Sequence, residues 1–194
     1  TFIDQLASKA GKDPVDFRRS MLKDHPRHLA TLNLVAEKAN WGSPITEGRY
    51  RGIAVHESFS SVVAQIAEIS FDEDGVLQVE KVWCAVDCGI VVNPDVVKAQ
   101  MEGGIGFGLG AVLRNAVTLD EGIVDQSNFH DYEPLRLTDM PEVDVYIVPG
   151  EAVPTGVGEP GVPPIGPAVA NAIFAAKGQV VTKLPFSEGM PDLV

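Results

Sequence analysis

The spacing of apolar residues divides the chain into a helical first part and a strand-rich remainder. Gly11 is placed to end a first helix, and Asp13 followed by proline is a typical start of a second one. After Pro26, apolar residues recur at spacings of three and four, which predicts a third helix: Leu29, Leu32, Val35 and Ala36. Because turn-forming residues crowd positions 40–44, we predict an N-terminal helical segment over residues 1–42.

β-branched and small residues dominate from residue 51 onward, which indicates strands. We predict strands over residues 51–57, 61–71 and 76–87, with a hairpin turn at 72–75 between the last two. A strand that carries apolar side chains on both faces is covered on both sides. The second strand has this pattern, with Val62, Ala64 and Ile66 on one face and Val63, Ala67 and Ile69 on the other.

The remaining segments complete an α+β pattern over residues 43–194. We predict a helix from Asn93–Pro94 into Gly103, a short hairpin over 117–124, a strand over 143–147 and a helix over 167–177 closed by Gly178. This order predicts a mixed sheet with N-terminal helices, a central glycine-rich helix and a C-terminal helix.

Composition and charge narrow the possible partners. The 194 residues include 15 basic and 27 acidic ones, a net charge of −12. Such a surface repels phosphate backbones and anionic lipid, so we expect no nucleic-acid partner and no membrane contact by this segment. Because the chain opens at Thr1 inside a helical pattern, we also expect further sequence upstream. The compartment stays open, and in a bacterium it is either the cytoplasm or the periplasm.

The residues that commonly bind metals are few and scattered. Cys84 and Cys88 are four residues apart, about 13 Å on an extended strand, which is too far for a disulfide. We therefore expect two reduced, partly buried thiols. None of the four histidines has a partner at metal-ligand spacing. The sequence predicts no metal held directly by side chains of this chain.

One carboxylate stands in an otherwise apolar, glycine- and proline-rich stretch. Glu159 lies in the run Gly156–Pro164, where the prolines stiffen the backbone. A rigid apolar setting makes a carboxylate a stronger base, because desolvation disfavours its charged form. The dipole of the helix predicted from residue 167 would oppose this effect if the carboxylate faced its N-terminus. The alternative is a solvent-facing glutamate on a proline-rich turn.

A second stretch carries five glycines within residues 103–110. In a helix each costs about 1 kcal/mol relative to alanine, so backbone here approaches either a ligand or a neighbouring element. Gly106, Gly108 and Ala111 match the dinucleotide fingerprint G-x-G-x-x-A. That fingerprint follows a strand, whereas this run follows a predicted helix start. Nicotinamide binding is therefore the weaker alternative.

Several segments together resemble one enzyme family. The run Gly158–Pro164 followed by Pro167–Phe174 resembles the C-terminal signature of the xanthine dehydrogenase/aldehyde oxidase family. The resemblance is closest to molybdopterin-binding beta subunits of the isoquinoline 1-oxidoreductase and bacterial aldehyde dehydrogenase type. The other matching segments follow in the same order as in those subunits: 51–58, 86–89, 93–94, 100–104, 106–109 and 127–132.

The resemblance implies a part of a larger molybdenum-binding domain. In the family the glutamate of the G-E-P motif is the catalytic base that activates the attacking hydroxyl, a role that falls on Glu159. The glutamine before E-G-G binds the pterin, so the implied cofactor-binding residues are Gln100, Gly103, Gly104 and Gly158. The implied cofactor is a molybdenum–pterin group, as molybdopterin or its cytosine dinucleotide form, bound largely by upstream residues.

The resemblance also implies the reaction and the partners. The implied reaction is oxidation of an N-heteroaromatic compound or an aldehyde, with water as the oxygen source. The implied partners are the upstream part of the same subunit, a small iron–sulfur subunit that takes the electrons, and a small-molecule substrate. The isolated 194 residues are expected to be inactive and free of molybdenum. The alternatives are a non-catalytic structural or assembly domain of such a complex and, less favoured, a nucleotide-binding dehydrogenase.

Overall fold

The computed structural model describes all 194 residues, and its first part is helical. Three helices span Phe2–Lys9 (α1), Pro14–Met21 (α2) and Pro26–Lys38 (α3). Gly11 follows α1 with φ +62°. The Asp13 carboxylate caps α2 by accepting hydrogen bonds from the backbone N–H groups two and three residues further on. The three predicted helices are confirmed.

Six strands follow: Tyr50–Ser58 (β1), Ser61–Phe71 (β2), Leu77–Asp87 (β3), Leu119–Asp120 (β4), Ile123–Val124 (β5) and Glu142–Ile147 (β6). Strands β1, β2, β3 and β6 form one sheet in that order. The pairs β1–β2 and β2–β3 are antiparallel, and β6 lies parallel to β3. Strands β4 and β5 form a separate short hairpin. The mixed sheet and its surrounding helices confirm the predicted α+β class.

Three further helices span Pro94–Leu113 (α4), Ile165–Lys177 (α5) and Phe186–Gly189 (α6), with single 3-10 turns at Leu137–Asp139 and Pro191–Leu193. Two predicted boundaries were wrong. Helix α4 continues ten residues beyond Gly103, and α5 begins two residues before Pro167. The elements after residue 178 were not predicted. None of the helices is both long enough and apolar enough to cross a membrane.

Helices cover both faces of the sheet. On one face, α3 packs with Ala64 and Ile66 of β2 in a compact apolar cluster. On the other face, Val63 and Ala67 of the same strand lie in a larger cluster with residues of α4 and α5. The prediction that β2 is covered on both sides is confirmed. The division proposed between residues 42 and 43 stays a prediction, and α3 shares one apolar cluster with β1, β2 and β3 across it.

Helix α5 lies directly against β1, which fixes the end of the loop that precedes it. The side-chain amide of Asn171 is buried and donates a hydrogen bond of 2.8 Å to the backbone oxygen of Ile53. The neighbouring Gly52 leaves no room for a side chain, because an added Cβ would overlap backbone atoms of Ala168 and Ala172. The start of α5 is therefore held in place by the sheet.

Candidate active site

The five predicted site residues line one cavity of about 500 Å³. Three segments form its walls: helix α4, the loop 156–164 before α5, and the turn between β1 and β2. The predicted residues that line it are Gln100, Gly103, Gly104, Gly158 and Glu159, and the others are Phe59, Phe107, Val162 and Pro163. The structure therefore brings together predicted residues that are far apart in the sequence. Gln100 and Glu159, for example, are 59 positions apart. Their chemical roles stay predictions.

Helix α4 separates a core-facing side from a cavity-facing side. Its first turn is capped by the Asn93 side chain, which accepts hydrogen bonds from two backbone N–H groups. The side chains that pack into the core are fully buried: Met101, Ile105 and Leu109. Gln100, Gly103 and Phe107 are exposed and line the cavity at helical spacings of three and four. An added Cβ at Gly103 would meet nothing within 4 Å, so this glycine faces open space.

Other glycines of α4 serve close packing. An added Cβ at Gly104 would lie 3.2 Å from the Cα of Gly161, and one at Gly108 would lie 2.6 Å from Cγ2 of Ile165. An added Cβ at Gly161 would in turn lie 3.0 Å from the backbone oxygen of Met101. The packing interpretation of the glycines is therefore confirmed for Gly104 and Gly108. These contacts bring the loop against the helix.

Glu159 occupies the rim of the same cavity. Its backbone oxygen accepts a hydrogen bond of 2.9 Å from Val162 N–H, and the following Pro160 is buried. Glu159 itself is exposed to solvent. The prediction that it lies in a poorly hydrated setting is therefore wrong for the structure of these 194 residues. The adjacent Gly158 lies beside Gln100, because an added Cβ there would be 3.7 Å from the amide nitrogen. The carboxylate and the amide therefore share one cavity.

Two exposed aromatic side chains complete the cavity wall, and sequence reasoning missed both. Phe59 lies in the β1–β2 turn with φ +53° and is 59% exposed, while Phe107 on α4 is 73% exposed. A positive φ is uncommon for a bulky residue. Here the turn is tied to the loop, because the Phe59 backbone oxygen accepts a hydrogen bond of 3.2 Å from Gly156 N–H. An aromatic residue between two strands was the available sequence signal for Phe59.

The polar groups at the carboxyl end of β3 serve the fold. Asp87 ends β3 and accepts hydrogen bonds of 3.0 and 3.1 Å from Arg27 on α3 and one from the backbone N–H of Gly89. Burial raises the pKa of Asp87, but these hydrogen bonds outweigh it and hold the pKa below its usual value. Both cysteines are free and buried. Burial raises the pKa of the Cys84 thiol to about 12.

The nucleotide-binding alternative does not fit the position of its motif. Gly106 and Gly108 lie in the interior of α4, about three turns beyond its capped N-terminus. A pyrophosphate binds to free N–H groups at a helix N-terminus. In the middle of α4 these groups are hydrogen-bonded within the helix, so this run cannot bind a dinucleotide in that way.

Comparisons with known proteins point to one family. A family model described as a molybdopterin cofactor-binding domain matches residues 3–141. The beta subunit of isoquinoline 1-oxidoreductase from Brevundimonas diminuta is 38% identical over 100% of this chain and 25% of that protein. A membrane-bound aldehyde dehydrogenase from Gluconacetobacter polyoxogenes, whose name specifies pyrroloquinoline quinone, is 32% identical over 95% of this chain and 26% of that protein.

A solved structure shares the fold. The aldehyde oxidoreductase from Desulfovibrio desulfuricans superposes with a TM-score of 0.55 and 26% identity, over 64% of this chain and 14% of that chain. The chain spans about a quarter of the length of the two curated relatives named above. The matched range 3–141 includes the α4 wall of the cavity, whereas Glu159 lies beyond it. The full-length similarity to the beta subunit covers both.

Proposed function

Because the chain belongs to the molybdopterin cofactor-binding domain family, we propose that it is the part of a molybdenum hydroxylase large subunit that supplies the catalytic base. One observation carries this proposal: Glu159 and Gln100 line the same cavity, and that cavity is otherwise glycine backbone and apolar side chains. A cavity with few polar groups on an apolar lining is typical of a cofactor or substrate site.

The cavity suits a flat, polar cofactor. Gly103 offers open space where any other residue would place a Cβ, so a ligand can approach the α4 backbone there. The exposed side-chain amide of Gln100 has both donor and acceptor atoms, which matches the mixed hydrogen-bonding edge of a pterin. We propose that Gln100, Gly103, Gly104 and Gly158 contact a molybdenum–pterin group, whether molybdopterin or its cytosine dinucleotide. Residues outside this chain supply most of its remaining contacts.

The proposed reaction converts R–H and H₂O into R–OH, two protons and two electrons. When bound, the molybdenum–pterin group supplies the two-electron redox chemistry. The carboxylate of Glu159 accepts one proton at Oε from the oxygen nucleophile as that nucleophile attacks the substrate carbon. The substrate is an N-heteroaromatic compound or an aldehyde, and the electrons leave to a small iron–sulfur subunit.

Replacing Glu159 by glutamine tests the base. The substitution keeps the shape of the side chain and removes its ability to accept a proton. In the complete subunit, expressed with its iron–sulfur partner, we expect turnover with an artificial electron acceptor to fall by a factor of about 10²–10⁴. We expect molybdenum content to stay at the unmodified level.

Glu151→Gln is the matched control, because Glu151 is also exposed, precedes Glu159 by eight residues and does not line the cavity. It should keep both rate and metal. If Glu159→Gln kept full rate with full metal, the assignment of the base would be wrong. If neither the unmodified subunit nor any variant retained molybdenum or turnover, a non-catalytic assembly domain would be the better account.

A further inference from the structure

Gln65 is a buried amide in the central strand of the sheet. It lies in β2, is 0% exposed, and its Nε2 donates a hydrogen bond of 2.8 Å to the backbone oxygen of Gly161. The only other hydrogen-bond partner of this nitrogen is the Cys84 sulfur, at 3.9 Å. Its Oε1 is buried and has no partner within the chain. Burying a polar group without a partner costs about 1–3 kcal/mol, so an apolar side chain would suit this strand better.

The same strand holds the loop at a second point. Ser61, at the start of β2, is also 0% exposed, and its Oγ lies 2.6 Å from both the Gly156 backbone oxygen and the Thr155 hydroxyl. A hydroxyl has one proton, and the Gly156 oxygen can only accept. Ser61 therefore donates to Gly156, and Thr155 donates to Ser61.

These two contacts flank Glu159. Gly156 precedes it by three residues and Gly161 follows it by two. Ser61 and Gln65 are four residues apart on one strand, about 13 Å on the same face. Strand β2 is paired on both edges, with β1 and with β3, so it is a rigid support. Both ends of the segment that carries Glu159 are thus hydrogen-bonded to β2.

We propose that Gln65 is a positioning residue that, with Ser61 as a second anchor, sets where the Glu159 carboxylate stands in the cavity. The expected effect of Gln65 on turnover rests on the proposed function. Its expected effect on the loop rests on the observed contacts alone. Misplacing a reacting group by about 1 Å can reduce a rate by a factor of about 10². A single anchoring hydrogen bond can therefore affect catalysis far more than it affects folding.

Gln65→Met removes the anchor and keeps the volume and burial of the side chain. In the complete, cofactor-loaded subunit with its iron–sulfur partner, we expect kcat to fall by a factor of about 10–100 with KM nearly unchanged. The Val162 amide proton is hydrogen-bonded to the backbone oxygen of Glu159. We expect it to exchange with solvent at least about tenfold faster in the variant than in the unmodified protein. Molybdenum content should not fall, and the denaturation midpoint should change little, because the variant removes one unpaired buried oxygen, Gln65 Oε1, and deprives another, that of Gly161, of this donor. Ser61→Ala should accelerate exchange in the same loop if Gln65→Met does not fold.

A matched control comes from Thr31 on α3, another fully buried polar side chain that donates a hydrogen bond to a backbone oxygen but lies on the opposite face of the sheet from this loop. Thr31→Val should leave kcat and Val162 exchange unchanged. A double variant separates positioning from general damage. If Gln65 acts through Glu159, adding Gln65→Met to Glu159→Gln should lower kcat no further than about twofold.

The two proposals fail in different ways. Unchanged Val162 exchange in both Gln65→Met and Ser61→Ala would overturn the anchoring, whatever the turnover. Faster exchange with unchanged kcat, while Glu159→Gln is inactive, would also overturn the positioning role. Full activity of Glu159→Gln would refute the proposed function and leave the exchange result to decide the anchoring alone.

Discussion

Replacing Gly103 by alanine tests whether a glycine at this position favours the stability of helix α4 or keeps space open in the cavity. The added Cβ would meet no atom within 4 Å, so it introduces no overlap. Alanine in a helix interior is more favourable than glycine by about 1 kcal/mol. We therefore expect Gly103→Ala to raise the free energy of unfolding by about 1 kcal/mol, measured by urea denaturation of the purified protein.

The functional effect should have the opposite sign. The new methyl group projects into the cavity beside Gln100 and takes space that the proposed cofactor would need. We expect molybdenum content, measured by mass spectrometry on the complete subunit, to fall. Greater stability together with lower cofactor content would show that Gly103 is kept for the ligand, because no folding argument favours it.

Gly108→Ala is the control on the same helix. Its Cβ would lie 2.6 Å from Cγ2 of Ile165 and 3.0 Å from the Val162 oxygen. Overpacking costs about 1–3 kcal/mol, which exceeds the gain in helix propensity, so this variant should be destabilised. A Gly103→Ala protein that is less stable than the unmodified one, or that is more stable and retains full cofactor, would refute the reasoning.

Two further predictions concern the frame around the site. Arg27→Gln should lower the free energy of unfolding at neutral pH by about 2 kcal/mol, because it removes charge-assisted hydrogen bonds to the buried Asp87. The folded-state pKa of Asp87 is held low, so this stabilisation is present above about pH 4 and is lost as the pH falls through the folded pKa. The variant should therefore lose less stability on acidification, and an equal loss in both proteins would contradict this. Burial raises the pKa of the Cys84 thiol to about 12 and also raises the pKa of the Cys88 thiol. Neither cysteine should therefore react with a disulfide reagent until the protein is unfolded in urea. Rapid labelling of the folded protein would contradict this prediction.

Elements that depend on local signals were predictable from the sequence. The range of β2, residues 61–71, follows from apolar and β-branched residues bounded by turns, and the structure gives the same range. The start of α4 follows from Asn93 and Pro94, whose capping chemistry involves only neighbouring residues. Gly178 ends α5 in the left-handed conformation that glycine adopts most easily.

The length of α4 was not predictable, because local and tertiary terms oppose each other there. Five glycines disfavour a helix by roughly 5 kcal/mol in total. Burial of four apolar side chains on the same helix, at about 1.5–3 kcal/mol each, exceeds that cost. These residues are Ile105, Leu109, Val112 and Leu113. The packing partner lies about 55 residues away, in the loop around Gly161, and no local pattern reveals it.

The cavity was predictable in part. Glu159 and the glycine run stood out because their local composition is unusual, and both line it. Gln65 was visible as a lone amide in an apolar strand, but only its contact with Gly161 shows its connection to the site. The exposure of Glu159 could not be read from a glycine- and proline-rich loop, because that composition constrains the backbone and not the direction of the side chain.

The exposure of Glu159 also indicates what the cavity lacks. Within these residues the carboxylate has an apolar wall on its inner side, with Phe59 and Phe107 largely exposed on the same cavity. Water reaches it from the open side. A base gains from an apolar setting only when that side is closed as well, since a carboxylate in contact with bulk water keeps its hydration. We propose that these residues position the base, and that its dehydration depends on the parts of the subunit and the cofactor that cover the cavity.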